Sequence, residues 1–309
     1  MWNYILLLIC ITILIDGVIG TLQNHDQMCV AAQGIGRWND AKFVSTIFSK
    51  YVDFPAVYNA ERKDKKPRVL FIGDSINRNA VFSICEACNS YVNNVYNCTA
   101  PMGGGFHYSC HTNMFEIASF FIFGASLDAM NLESSYKRKD HSCGLEEGLM
   151  PFGTLIRVQN YTQAIKKSFS GEVDLIVLNA MFWDIVDLQS DGKSKTFETT
   201  DFNKLATEYT RNITTIINAI KLVFPNSQIV LQKNVPPQAN LFYLLGKKTV
   251  NIMNTLIDIA AIKNNVCVLN LDNLVREYSG LIFAADGMHP NANINVNYVN
   301  LLLNIALNL

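Results

Sequence analysis

From about residue 67 onward, two kinds of apolar pattern alternate along the chain. Short runs rich in β-branched and aromatic residues, bounded by Gly, Asn or Pro, predict strands at Val69–Ile72, Phe115–Phe123, Asp174–Leu178, Gln228–Gln232 and Val266–Leu269. Between them, apolar residues recur every three or four positions over Asn79–Asn89, Tyr161–Phe169, Phe202–Phe224, Lys247–Asn264 and Asn295–Leu307, which predicts helices. Strands alternating with helices imply a mainly parallel sheet covered on both faces, a single three-layer α/β/α domain. Residues 21–66 read as a polar, loop-rich lead, and the basic stretch from Glu61 to Lys66 as a solvated turn ahead of the first core strand. The Asn-rich C-terminal region reads as composition bias.

The apolar run from Tyr4 to Ile15, ended by Asp16 and the small residues around Gly20, predicts a signal peptide over residues 1–20. It is shorter than the roughly 20 residues a bilayer span needs, so no stable membrane span is expected after cleavage. One domain is then expected over residues 67–309. A formal net charge of −1 with interspersed signs excludes a nucleic-acid surface and argues against a polyanion as main ligand.

Export changes the meaning of the cysteines. Without Cys10, an odd set remains, Cys29, Cys85, Cys88, Cys98, Cys110, Cys143 and Cys267, enough for up to three disulfides and one free thiol. Cys85 and Cys88, spaced as Cys-x-x-Cys, are expected to serve disulfides rather than a metal. His107, His111 and His141 lack paired ligand spacing, so no metal or other cofactor is expected. Sequons at Asn97, Asn160 and Asn212 predict surface sites open to glycosylation.

The candidate chemistry begins where the first core strand runs into Gly73-Asp74-Ser75. A serine at the carboxyl end of a buried strand and the start of a helix is exposed in the crevice where open α/β sheets place ligands. Far downstream, Asp286 and His289 lie three positions apart just before the last helix, supplying a carboxylate and an imidazole in the chain order Ser, Asp, His. Asp74 reads as the cap of the helix that follows.

Four separated segments together resemble the SGNH, or GDSL-type, hydrolases. Gly73-Asp74-Ser75 and Asp286-x-x-His289 are similar to that family's first and last blocks. Gly73-Asp74-Ser75-Ile76-Asn77-Arg78-Asn79 looks like the Gly-Asp-Ser-x-x-Arg-Asn segment of the PC-esterase and trichome-birefringence-like branch. The stretch from Cys29 to Trp38 resembles the opening of those proteins, and the strand ending in Asn179, with Trp183-Asp184 behind it, resembles their third block. Two departures set the chain apart from the plant members: His289 continues into Pro290-Asn291 rather than Trp-Cys, and Asn179 is not followed by Thr-Gly-His-Trp.

The resemblance implies an SGNH-like, flavodoxin-like fold and a serine esterase acting on O-acyl, in particular O-acetyl, esters of carbohydrate. Ser75 would be nucleophile, His289 general base and Asp286 its orienting partner. The backbone N–H of Ser75, the side chain of Asn179 and a glycine N–H would face the oxyanion. For the glycine, Gly104 in the triple-glycine loop is favoured over Gly124, which closes a strand; a mobile connector is the other use of that loop. Arg78 either contacts a polar substrate or pins nearby loops, and Trp183 either lines a sugar-sized pocket or is core. An O-acetyltransferase with the same triad, a lipase or lysophospholipase using Leu241–Leu245 as an acyl groove, and a non-catalytic glycan-binding surface protein are the competing functions.

Overall fold

A computed structural model of the chain describes residues 28–34, 36–61, 65–90, 93–94, 108–122, 124–125, 158, 165–167, 169–182, 184–185, 202–237 and 247–309. The elements are, in chain order, β1 (Gly36–Asn39), β2 (Lys42–Ser45), α1 (Phe54–Val57), β3 (Arg68–Gly73), α2 (Ser75–Ala87), β4 (Asn93–Asn94), β5 (Tyr108–His111), β6 (Glu116–Phe121), β7 (Leu175–Leu178), α3 (Phe202–Val223), β8 (Gln228–Lys233), α4 (Lys247–Asn264), β9 (Cys267–Asn270), α5 (Leu271–Val275) and α6 (Ala292–Leu307). β1 and β2 form a hairpin, and the other seven strands form one sheet in the order β4-β5-β6-β3-β7-β8-β9.

Within that sheet β6, β3, β7, β8 and β9 run parallel, while β4 and β5 add an antiparallel edge. Counting only the parallel strands, the order is second, first, third, fourth, fifth. Such a sheet reverses its winding direction between its first and third strands, here β3 and β7, and opens a crevice at their carboxyl ends.

Alternation along β3 sends Leu70 and Ile72 to one face and Val69 and Phe71 to the other. The first pair packs with α3 and α4, through residues such as Tyr209, Ile213, Met253 and Ile257. The second packs with α2, α5, α6 and the N-terminal lead. The expected three-layer α/β/α architecture is therefore the observed one.

The lead is more ordered than its polarity suggests. Trp38 and Phe43 from the hairpin turn inward, Trp38 stacks near Tyr278 at 4.4 Å, and its indole N–H donates to Leu274 O at 2.7 Å. Four-residue strands alternate too briefly to announce themselves in sequence. Lys65 and Lys66 are likewise not merely solvated: they pair with Asp174 at 2.9 Å and with the buried Glu116 at 3.3 Å.

The asparagines of α6 explain how the lead is held. Asn297 Oδ1 accepts the Phe43 N–H at 2.7 Å, Asn300 Oδ1 accepts the Phe54 N–H at 3.0 Å, and Asn304 Oδ1 accepts the Val52 N–H at 2.8 Å. Asn304 also donates to Val52 O at 2.9 Å and Asn297 to Ala41 O at 3.0 Å. Spacings of three and four put these side chains on one helical face. There they replace the sheet or helix partners that buried, irregular backbone would otherwise lack. The expectation of mere composition bias is thus corrected.

Two disulfides join described residues, Cys29–Cys267 and Cys85–Cys110. Cys88 departs from expectation: it is free, fully buried in the α2 face of the core, and burial followed by the nearby Asp53 charge pushes its thiol up to about 12. Among the described residues, no helix is long and apolar enough to cross a membrane. The predicted signal segment, Cys98 and Cys143, and the sequons Asn97 and Asn160 lie outside the described residues. Asn212 lies half-buried on α3.

Candidate active site

β3 delivers the chain to the crevice and α2 begins at once, because Asp74 supplies a cap: its Oδ1 accepts the Ile76 N–H at 2.9 Å. Ser75 therefore occupies the first helical position, where backbone N–H groups lack intrahelical partners and the helix end carries partial positive charge. Asp74 itself is 1% exposed, and among the described residues no partner meets its Oδ2 in good hydrogen-bond geometry, although the Phe182 N–H is near enough to act on the carboxyl. Burial pushes its carboxyl up to about 6, against the opposing pull of the Ile76 N–H and of His289.

His289 reaches Ser75 from the loop between α5 and α6. Phe283 and Pro290 bridge across that loop, the Ala284 N–H donates to His289 O at 2.8 Å, and Gly287 adopts a left-handed φ of 66° that suits glycine. The turn bends Asp286 back onto the residues that follow it. Its Oδ1 accepts the N–H groups of Met288 and His289, each at 2.9 Å, and its Oδ2 lies 2.6 Å from His289 Nδ1. His289 Nε2 lies 2.7 Å from Ser75 Oγ. Partial burial alone would raise the Asp286 carboxyl, yet the backbone and ring N–H groups of His289 and the Met288 N–H together hold it below its ordinary value.

With Asp286 ionised, Nδ1 carries the proton and donates to it. Nε2 is then an acceptor, and the Ser75 hydroxyl donates to it. The three residues that the sequence assigned as nucleophile, base and orienting carboxylate are in hydrogen-bond contact across a separation of 214 positions.

Asn179 stands at the end of β7, beside the turn that carries Ser75, and is fully buried. Its amide belongs to a closed ring that sequence reasoning missed. Asn77 Nδ2 donates to Gln232 Oε1 at 3.0 Å, Gln232 Nε2 to Asn234 Oδ1 at 2.8 Å, Asn234 Nδ2 to Asn179 Oδ1 at 3.1 Å, and Asn179 Nδ2 to Asn77 Oδ1 at 2.8 Å. A further bond from Asn179 Nδ2 to Asn234 Oδ1 is longer, at 3.3 Å, and the Tyr298 hydroxyl donates to Gln232 at 2.5 Å. Amides in a circle satisfy one another without water, and the ring ties the first turn of α2 to β7 and β8. It also explains Gly73: a Cβ there would sit 2.7 Å from Asn77 Oδ1 and 3.1 Å from Asn179 Cβ. The signal available in sequence was Gln232 and Asn234, polar residues closing an otherwise apolar strand.

On the other side of Ser75, Gly124 follows β6 with φ 74°, and a Cβ on it would collide with the Asp184 carboxylate at 2.6 Å. Asp184 is itself buried and accepts the Ala125 N–H at 2.6 Å. Arg78 lies over the ring of Phe121, 5.6 Å from its centroid. Gly104, Trp183 and Leu241–Leu245 lie outside the described residues. His111 ends β5, with its ring 3.8 Å from Glu116. Among the described residues, no three His, Cys, Asp or Glu side chains are grouped to hold a metal ion.

No family model and no curated protein matches the chain. Several solved structures do. The chain is similar to an acetylxylan esterase from Geobacillus stearothermophilus at 13% identity and a TM-score of 0.39, over 81% of this chain and 95% of that one. It is similar to a carbohydrate esterase family 3 protein from Talaromyces cellulolyticus at 14% identity and a TM-score of 0.38, over 76% and 94%. A member of the lipolytic G-D-S-L family from Veillonella parvula is similar at 15% identity and a TM-score of 0.38, over 76% and 96%.

Proposed function

We propose that this chain is an exported serine esterase that removes O-acyl, in particular O-acetyl, groups from carbohydrate through an acyl-enzyme. The observation that carries this reading is the continuous line of contacts Ser75–His289–Asp286, at 2.7 and 2.6 Å. His289 Nε2 takes the Ser75 proton as Oγ attacks the ester carbonyl, and Asp286 stabilises the resulting imidazolium. Collapse of the tetrahedral intermediate breaks the acyl–oxygen bond, and the departing alcohol takes the proton from His289. Water then attacks the acyl-enzyme, again giving its proton to His289, and carboxylic acid leaves as Ser75 is reprotonated.

Negative charge on the carbonyl oxygen develops at the N-terminus of α2, where the Ser75 N–H is one donor. Asn179 is the side-chain donor; it exchanges its longer bond, the 3.3 Å contact with Asn234, for the oxyanion. A glycine N–H completes the hole. Gly104 is the donor chosen from sequence, and Gly124 at the carboxyl end of β6 is the alternative. Export is supported by the apolar N-terminal run and by two disulfides, which persist in oxidising compartments.

Purified protein is expected to release acetate from 4-nitrophenyl acetate and from acetylated xylan. Ser75→Ala and His289→Ala should each lower kcat by about 10³-fold or more. Equal release by wild type and both variants would overturn the assignment, as would fluorophosphonate labelling that persists in Ser75→Ala.

A further inference from the structure

The exposed side of α2 is a single stripe. Ser75, Arg78 and Asn79 are partly exposed, Phe82 is 38% exposed, Glu86 and Ala87 at the far end are exposed, and Ile76, Asn77, Ala80, Val81, Ser83, Ile84 and Cys85 are buried. Positions separated by three, four and seven share one helical face. The stripe therefore starts at the nucleophile and runs outward through a cation to an aromatic ring. Phe82 pairs with Tyr108 of β5, ring centroids 5.6 Å apart, so the stripe continues onto the antiparallel edge of the sheet.

Arg78 is the unusual member. Its guanidinium lies over Phe121, the register partner of Gly73, and is thereby held at the carboxyl edge of the sheet next to the Ser75 turn. Among the described residues it donates one long hydrogen bond, from Nε to Asn79 Oδ1 at 3.4 Å, and no carboxylate lies within ion-pair distance, although the Asp74 charge is close enough to act on it. The nearby Asp74 carboxylate gives one oxygen, Oδ1, to the cap of α2. The guanidinium is partly exposed, and its terminal nitrogens are not among the buried polar atoms that lack a partner, so they face the crevice, where a ligand can replace water. Its fork of donors matches a carboxylate in bidentate fashion.

We propose that Arg78, with Phe82 and Tyr108 beside it, forms the subsite for the alcohol portion of the ester, and that this portion is an acidic sugar carrying a carboxylate near the acylated oxygen. Arg78 binds the carboxylate and the aromatic pair takes the apolar face of the sugar ring. One carboxylate on one guanidinium is enough; no polyanionic track is needed, in keeping with the near-neutral chain. The inference rests on the esterase reading and adds the class of substrate to it.

The test compares two mono-O-acetylated methyl glycosides that differ only at the sixth carbon, a glucoside and the corresponding glucuronide, beside 4-nitrophenyl acetate. Wild type should prefer the glucuronide by about 10- to 100-fold in kcat/KM, mainly through KM, the worth of a charge-assisted pair. Arg78→Gln should reduce that preference by about tenfold or more, and Arg78→Lys should restore part of it. Raising ionic strength should increase KM for the glucuronide alone, a measurement that needs no variant. Equal kcat/KM and equal salt response for the two glycosides in wild type would overturn the proposal. So would Arg78→Gln lowering both equally, which would make Arg78 a pin on Phe121. Failure of wild type to cleave even 4-nitrophenyl acetate would instead overturn the esterase reading beneath it.

Discussion

Asp74 performs two tasks that oppose each other. It caps α2, which favours a carboxylate, and it is buried, which disfavours one. Burial prevails, and the carboxyl titrates at about 6 in the folded chain against an ordinary 3.8. Between those values the native state keeps a proton that the unfolded chain gives up. Stability from this group is therefore fully present below pH 3.8 and is lost as pH rises to about 6, a change on the order of 3 kcal/mol. Asp286 and Glu116, with lowered values, contribute the opposite slope at lower pH. Urea unfolding at pH 4, 5 and 6 should show wild type losing stability relative to Asp74→Asn as pH rises. Parallel curves would mean that Asp74 keeps its ordinary pKa.

At the scale of elements, α6 shows how polar side chains bury a helix on nearly every side. Replacing Asn300 by Leu keeps the shape but leaves the Phe54 N–H buried without an acceptor. The expected loss is about 1–3 kcal/mol, read from the urea midpoint. A midpoint unchanged from wild type would show that water replaces the side chain.

The same helix marks where sequence reading ends. α4 was legible to both ends because apolar spacing runs unbroken from Lys247 to Asn264. β3 and Ser75 were legible because an apolar run meets a capping Asp at a glycine. Asp286 and His289 were legible as a pair and in chain order. The β1–β2 hairpin and β5 were not, since Gly-Arg-Trp-Asn and Tyr-Ser-Cys-His hold too few residues to display a period. The amide ring was hidden for another reason. Asn77, Asn179, Gln232 and Asn234 come from α2 and the ends of β7 and β8, and only the folded sheet shows that their amides close on one another.

For the molecule as a whole, the first described residues are fastened to the last strand, β9. Cys29 and Cys267 are joined across 238 positions, so the bond removes a large share of the unfolded chain's freedom. Cys29→Ser should lower stability by about 2–5 kcal/mol and should render the lead sensitive to protease before the sheet. Loss of both at the same denaturant concentration would show that lead and sheet unfold as one unit.

The asparagine face of α6 also dictates an order of events during synthesis. Phe43 must wait for Asn297, made 254 residues later, an interval of roughly 10 to 50 s at ordinary elongation rates. For most of that interval Trp38 lacks Leu274 and Tyr278, its later partners, and Cys29 is a thiol in the company of Cys85, Cys88 and Cys110 before Cys267 exists. A nascent chain of this kind depends on holding its own beginning in reserve, and a ribosome stalled before β9 would release a chain in which Cys29 has only wrong partners to choose from.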